Sequence, residues 1–379
     1  MVKVVHIITD LSVGGAQNML YKLLASMDRQ EFISEVVSLK EIGPIGERIQ
    51  ALGIPVKQLC MRSGVPSPRS ILRLADILRH SRPDVIQTWM YHADLLGGLA
   101  ASIAGKIPIA WNVRHSRLDP EIDKKTTILI GRVCAKLSHR MPARIISCSE
   151  AGRQVHISLG YAANKIQVIP NGFDLGAYQP SPTARQSVRE ELNIPEQALI
   201  IGHVGRYHPM KDHHGFVQAA KALHTRYPEV HFVLCGDEVT WNNPELEGWI
   251  EEAKLRPVFR LLGRRSDLPR LNAAFDIASL ASRYGEGFPN VVGEAMACGI
   301  PCVVTDVGDA GYIVGDAGIT LPPRDPDALA AAWIKVLEMG TQGRQALGEK
   351  ARQRVQQMFD INVIVCRYEQ LYRELSHAV

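Results

Sequence analysis

Cysteine pairs, long apolar runs and net charge are all scarce in this 379-residue chain. Its seven cysteines, Cys60, Cys134, Cys148, Cys235, Cys298, Cys302 and Cys366, are odd in number, scattered and never spaced C-x-x-C. That spacing excludes a disulfide framework or a structural zinc site as an organising device and fits a reducing cytosol. Cys298 and Cys302 are four apart, but Pro301 between them argues against a shared helix face. The longest apolar stretch, Leu95 to Ala104, is about half the ~20 residues that a spanning helix needs. The opening Met1-Val-Lys-Val-Val-His-Ile-Ile meets Asp10 too early for a signal peptide. A cytoplasmic protein is expected, soluble or peripheral at the inner face of the cytoplasmic membrane. Gly (31) and Pro (22) are frequent but aperiodic, and 46% apolar with 22% charged residues is ordinary globular composition, so disorder, collagen and coiled coil are excluded for the whole.

The net charge of +4 hides a division. Residues 1–175 carry 22 Lys and Arg against 14 Asp and Glu, and the remainder 21 against 25. A basic half joined to an acidic half predicts that one half meets an anionic partner. Nothing in the composition or motifs points to nucleic acid.

What is present is a repeated alternation of short β-branched runs and amphipathic segments. Residues 2–8, 36–39, 55–59, 84–88, 108–112, 144–148 and 165–169 read as strands, with helices over 16–27, 70–80 and 92–104. The pattern restarts after the turn Pro170-Asn171-Gly172. Strands are predicted at 199–204, 231–235, 258–262, 277–280 and 301–305, and helices at 215–227, 268–274, 291–298, 326–339 and 361–375. Pro180, Pro182 and Pro195 mark 176–196 as a linker. The fold class is therefore α/β: two Rossmann-like, doubly wound parallel-sheet domains, residues 1–175 and 176–360, with a final helix (361–379) that can pack back on the first. Ligands in such folds bind beyond the carboxyl ends of the strands, here in a central cleft.

Three motifs sit at such ends. Gly14-Gly15-Ala16-Gln17 follows the first strand and opens a helix. Glycines admit a close ligand, although a glycine pair alone is also just a turn. Gly205-Arg206-Tyr-His-Pro-Met-Lys211-Asp212 places two cations five apart in a loop, a fork and a point charge suited to a diphosphate or, equally, a solvated charged loop. Glu286-Gly287-Phe288-Pro289-Asn290-Val-Val-Gly-Glu294 joins a loop carboxylate to a second one inside the next helix. Pro289 suits that helix's first turn, and N–H groups around Phe288 to Val291 are expected to face a ligand that has hydroxyls at both ends and phosphate between them.

The E-x7-E of Glu286 and Glu294, in the setting E-G-F-P-N-V-V-x-E-A-M-A-C-G-x-P, resembles the family 4 retaining glycosyltransferases of the GT-B fold (glycosyl transferases group 1). Gly14-Gly15-Ala16-Gln17, the segment Val168 to Asp174 and the R-x4-K of Arg206 and Lys211 resemble the family's corresponding segments. The resemblance implies a glycosyltransferase, a hexosyltransferase that moves a sugar from a UDP- or GDP-sugar to a saccharide or lipid-diphosphate-linked acceptor in surface polysaccharide synthesis. It implies that Arg206 and Lys211 neutralise the diphosphate, that Glu286 binds sugar hydroxyls and Glu294 ribose hydroxyls, and that Gly287, Phe288, Pro289 and Asn290 offer backbone N–H groups. Gly14 and Gly15 would leave room for the diphosphate, and Gly263-Arg264 would meet the base. His115 resembles the family's active-site histidine, while His92 and Arg114 are acceptor-side candidates. Front-face attack with the donor phosphate taking the proton is implied, and no metal or other cofactor is expected. Asp325-Pro-Asp327 reads as helix capping rather than a metal motif. The loop Asp306-Val-Gly308-Asp309 departs from the family by lacking a second Gly and a nearby Glu.

Residues 123–142 form a basic amphipathic segment in which Ile130, Val133, Leu137 and Met141 share one face and Arg132, Lys136, His139 and Arg140 lie off it. An anionic membrane surface is the partner this segment suggests. A helix packed on its own sheet with a solvated basic face is the other reading. Two other functions share the architecture: a nucleotide-sugar epimerase or hydrolase, and a non-catalytic binding subunit.

Overall fold

A computed structural model describes residues 1–61, 67–105, 107–114, 116 and 124–377. The chain forms two units, Met1–Gly172 with Ile361–Val379, and Phe173–Asp360.

The first unit holds a seven-stranded parallel sheet: β1 (Val2–Ile8), β2 (Phe32–Ser38), β3 (Val56–Gln58), β4 (Val85–Trp89), β5 (Ile109–Val113), β6 (Arg144–Ser147) and β7 (Ile166–Val168). Their order is β3-β2-β1-β4-β5-β6-β7. Val2 of β1 pairs with Phe32 of β2 and Val4 with Val85 of β4. The twofold alternation of a strand sends Val4 and Ile8 to one core and Val5 and Ile7 to the other, so both faces need helical cover. Helix Gly15–Ser26 and the final helix Ile361–Ser376 cover the first face. Helices Pro68–Ser81, Tyr91–Ala104 and Lys125–Leu137 cover the second. The final helix therefore belongs to the amino-terminal core. Ile364, Tyr368 and Tyr372 are fully buried there, and Arg373 clasps Glu31 through two bonds of 2.6 Å.

The second unit has six parallel strands: β8 (Ile200–Val204), β9 (His231–Cys235), β10 (Phe259–Leu261), β11 (Ile277–Leu280), β12 (Cys302–Thr305) and β13 (Gly318–Leu321), in the order β10-β9-β8-β11-β12-β13. β13 is not among the strands read from sequence, because Gly-Ile-Thr-Leu is only four residues long at a sheet edge.

The expected linker at 176–196 is instead largely a helix, Pro182–Leu192. The three prolines misled because Pro182 occupies the first helical turn, where its missing N–H costs nothing, and Ser181 caps the turn by accepting from Ala184 N. Arg185 and Arg189 from this helix converge on Asp276, just ahead of β11, and tie it to the second sheet.

A chain ended at Asp360 loses the buried side chains of Ile361, Ile364, Val365, Tyr368, Leu371, Tyr372 and Leu375. At about 1.5–3 kcal/mol each their sum approaches or exceeds the roughly 5–15 kcal/mol stability of a domain. Limited proteolysis is therefore expected to degrade residues 1–172 while sparing 173–360. Equal protection of both halves would refute this account.

Candidate functional site

Both sheets reverse strand order once, between β1 and β4 and between β8 and β11. A reversal opens a crevice at the carboxyl ends of the two strands, because their outgoing loops turn to opposite faces. The motif residues fall on the loops that leave these strands.

In the second unit the loop after β8 carries Arg206 and Lys211, and the loop after β11 carries Glu286. Lys211 Nζ lies 2.5 Å from Glu286 Oε1, and the fully buried Ser282 donates its hydroxyl to the same oxygen at 2.6 Å. Both side chains of the ion pair are largely withdrawn from solvent, 12% and 9% exposed. The loops are also stitched through backbone, Arg283 N to Met210 O at 2.8 Å. Gly285, at φ 76°, turns the chain where a Cβ would press on Met210 Sδ. Arg206 is exposed and has no ion-pair partner among the described residues.

The backbone that follows Glu286 is held by an aromatic anchor. Phe288 is buried against Phe173 (6.1 Å between ring centres) and Phe359 (5.6 Å). Gly293 admits the Phe173 ring, which a Cβ there would strike. Pro289 is the residue that precedes helix Asn290–Ala297, one position earlier than the sequence suggested, and Val292 N already donates to Pro289 O. That removes Val292 from any set of ligand-facing donors. Glu294 stands on this helix beside the Tyr178 phenol, whose ionisation is pushed up by burial first and then by the Glu294 charge, so it remains a neutral donor. Gly263, two residues beyond β10, holds φ 64° with its N–H on Val239 O, and Arg264 beside it is exposed.

The divergent loop 306–309 meets this motif through backbone. Gly308, at φ 63°, lies so close to the Glu286 carbonyl that a Cβ would clash at 2.3 Å, and Asp309 N donates to Gly287 O at 2.8 Å. Asp325 caps helix Pro326–Glu338 by accepting from Ala328 N at 2.9 Å, as its position suggested. Among the described residues no group of three His, Cys, Asp or Glu is arranged to hold a metal ion.

In the first unit, Gly14 precedes helix Gly15–Ser26 after β1, and a Cβ on it would meet Gln17 Oε1 at 2.4 Å. Gln17 in turn donates to Asp10, as does Ser12. His92 begins helix Tyr91–Ala104 after β4 and is partly exposed. Met90 before it holds φ 73°, a strained value for a side chain of that size, and strain of this kind gathers at working sites. Arg114 follows β5. One guanidinium nitrogen bonds Asn171 Oδ1 at 2.7 Å, while Nη1 is buried without a hydrogen-bond partner among the described residues. His115 lies outside the described residues.

Sequence reasoning missed Ser282, Tyr178 and the histidines beneath the Lys211 loop. Ser282 has no periodic or charge signature, and its role exists only because the loop folds back by four residues. His203, in β8, and His213 pack edge to face at 5.0 Å. Burial, then Lys211, drives His213 down to about 4, and burial, then His213 and Lys211, holds His203 well below the usual histidine range. Both stay neutral and add no positive charge under the loop.

Residues 13–177 match Glycosyltransferase Family 4, and residues 184–354 match Glycosyl transferases group 1. The chain belongs to the family 4 glycosyltransferases. This glycosyltransferase is 24% identical over 99% of its length, and 97% of the relative's, to a UDP-Gal:alpha-D-GlcNAc-diphosphoundecaprenol alpha-1,3-galactosyltransferase of Escherichia coli. It is 26% identical to the putative glycosyltransferase EpsF of Bacillus subtilis, over 80% of this chain and 79% of that one. Among solved structures, HepE of Anabaena in complex with UDP matches with a TM-score of 0.85 at 25% identity, over 98% of this chain and all of that one. The two sheets are thus the two Rossmann-like domains of a GT-B glycosyltransferase, an enzyme that moves sugar from a nucleotide sugar to an acceptor.

Between pH 6.5 and about 4 the unfolded chain protonates His6 and His213 and the folded chain does not, since their folded values are about 3 and about 4. A depressed histidine pKa gives stability that is complete above the unfolded value and is lost as pH falls, here by up to about 1.4 kcal/mol per pH unit for each group. Urea midpoints are expected to drop from pH 7 to pH 5, and His213→Phe to reduce the drop. An unchanged slope would exclude His213 as a contributor.

Proposed function

We propose that the enzyme transfers a hexose from a UDP-sugar, with retention, to a lipid-diphosphate-linked saccharide of a surface polysaccharide. The observation that carries this reading is the cluster of Lys211, Glu286 and Ser282 at the β8–β11 reversal, with Arg206 on the same loop as Lys211. It offers two cations to a diphosphate and a carboxylate to sugar hydroxyls. The charge that develops on a departing diphosphate is the feature such preorganised cations stabilise. The names of the relatives supply the choice of base: HepE was solved with UDP, and the E. coli enzyme is described as using UDP-Gal and a diphosphoundecaprenol acceptor.

In this reading the bond from the anomeric carbon to the diphosphate oxygen breaks and a bond to the acceptor hydroxyl oxygen forms on the same face. The acceptor proton passes to a phosphate oxygen of the leaving group. Arg206 and Lys211 take up the diphosphate charge, Glu286 orients the sugar and Glu294 the ribose. Arg114, whose buried Nη1 has no hydrogen-bond partner among the described residues, offers a cation on the acceptor side.

Thermal shifts test the donor. A ligand at 100 times its Kd adds about 2.7 kcal/mol of stability, so UDP is expected to raise the Tm by several degrees and ADP not to. Lys211→Ala and Arg206→Ala should each weaken UDP binding by about tenfold, the scale of one charge-assisted contact. Stabilisation by GDP alone would move the donor to the GDP-sugars, and stabilisation by neither would refute the donor assignment.

The helix Lys125–Leu137 supports a membrane partner. Ile130, Cys134 and Ala135 face the core, whereas Val133, expected on the packed face, is 36% exposed and Leu129 62% exposed. Lys125, Leu129, Arg132, Val133 and Lys136 form one exposed stripe of basic and apolar side chains, as an interfacial helix requires. The apolar members follow from geometry: positions 129 and 133 lie about one turn apart, on the side opposite Ile130, Cys134 and Ala135. With Lys124, Lys125, Arg132 and Lys136 all changed to Glu, sedimentation with anionic vesicles should be abolished while UDP binding is kept. Undiminished sedimentation would sink the membrane assignment.

A further inference from the structure

The two oxygens of Glu286 differ in their surroundings. Oε1 accepts from Lys211 Nζ and from Ser282 Oγ, at 2.5 and 2.6 Å. Oε2 has no protein donor among the described residues. The two donors on Oε1 are unlike. Lysine is a compact charge on a flexible stem with three donors, free to turn to another anion. Ser282 is fully buried at the end of β11, and its carbonyl is held by Thr305 Oγ1 at 2.7 Å.

A diphosphate that recruits Lys211 competes with Glu286 for the same ammonium. Were Lys211 the sole anchor, the carboxylate would be released at the moment the sugar arrived. The serine hydroxyl, short and packed, does not follow the lysine. We propose that Ser282 is a positioning residue of the donor site: its hydroxyl fixes Glu286 Oε1 so that Oε2 faces the hydroxyls of the donor sugar, whether Lys211 stays on the carboxylate or turns to the diphosphate. This rests on the nucleotide-sugar reading above.

The quantity that reports it is the ratio of the Kd for UDP to the Kd for the UDP-sugar, which isolates what the sugar adds. Titrations of the full chain with UDP, UDP-glucose and UDP-galactose would select the sugar on wild type. Ser282→Ala is expected to leave the Tm and the UDP affinity within about twofold and to cut the sugar ratio by about tenfold, the scale of a hydrogen bond to a charged group. Ser282→Thr, which keeps the hydroxyl, should restore most of the ratio, and Ser282→Ala added to Glu286→Gln should change it no further. An unchanged ratio in Ser282→Ala overturns the proposal. So does an equal loss for UDP and UDP-sugar, which would make the hydroxyl a support for the loop in general. If wild type binds UDP but gains nothing from either sugar, the serine assignment fails alone. If it binds no nucleotide, the nucleotide-sugar reading itself fails.

Discussion

The contact between Lys211 and Glu286 organises the loops at the strand-order reversal of the second unit. A largely buried ion pair costs desolvation on both partners and is tolerated only where its geometry is good and the remaining hydrogen-bonding capacity is met. Here the second donor from Ser282 and the backbone bond from Arg283 to Met210 meet that condition. The consequence is that the loops after β8 and β11, which arise from strands running to opposite sides of the sheet reversal, behave as one piece. Two loops that moved independently would each have to be ordered by ligand, an entropic cost that prior fastening removes.

The same piece is anchored from below by apolar packing. Phe288 gives the motif its buried foot in a cluster with Phe173 and Phe359, and Phe173 occupies the space that Gly293 leaves. Gly308 brings a third loop onto the Glu286 carbonyl at a distance no side chain permits. The letters F-P in the motif therefore have distinct physical tasks, burial and entry into a helix, while the close approach belongs to Gly308. The departure at Asp309 leaves the loop's contact intact, because that contact runs from Asp309 N–H to Gly287 O and needs no particular side chain.

Much of this was legible in the sequence. Short β-branched runs mark most strands of both sheets, and motif spacing singles out Lys211 and Glu286, which the structure brings into contact. What escaped had no local signature. Helix Pro182–Leu192 read as a linker because proline punctuates loops and helix starts alike, and only the Ser181 cap distinguishes them. Helix Gly340–Met358 is largely polar and buries little beyond Gly348, Ala351 and Val355, so its periodicity is faint. Val133 was assigned to the packed face because an apolar residue at helical spacing is normally core. Its exposure with Leu129 depends on which side of the helix the sheet occupies. Ser282 and Tyr178 act through tertiary neighbours, Glu286 and Glu294, and no pattern in the chain marks them.

Charge follows a similar logic of local against average. The carboxy-terminal part of the chain is acidic overall, yet the cations at its sheet reversal are arranged in two ways. Lys211 is neutralised by Glu286, and the histidines under it are kept uncharged by burial. Arg206, on the same loop, is exposed and has no ion-pair partner among the described residues. A site built this way carries little unbalanced charge and so little self-repulsion. Its second cation becomes available only to a ligand that can replace the carboxylate on Lys211. An ammonium already paired with a carboxylate yields to a dense anion such as a diphosphate and not to a neutral sugar, so in the proposed reading the ion pair favours the anionic end of a donor.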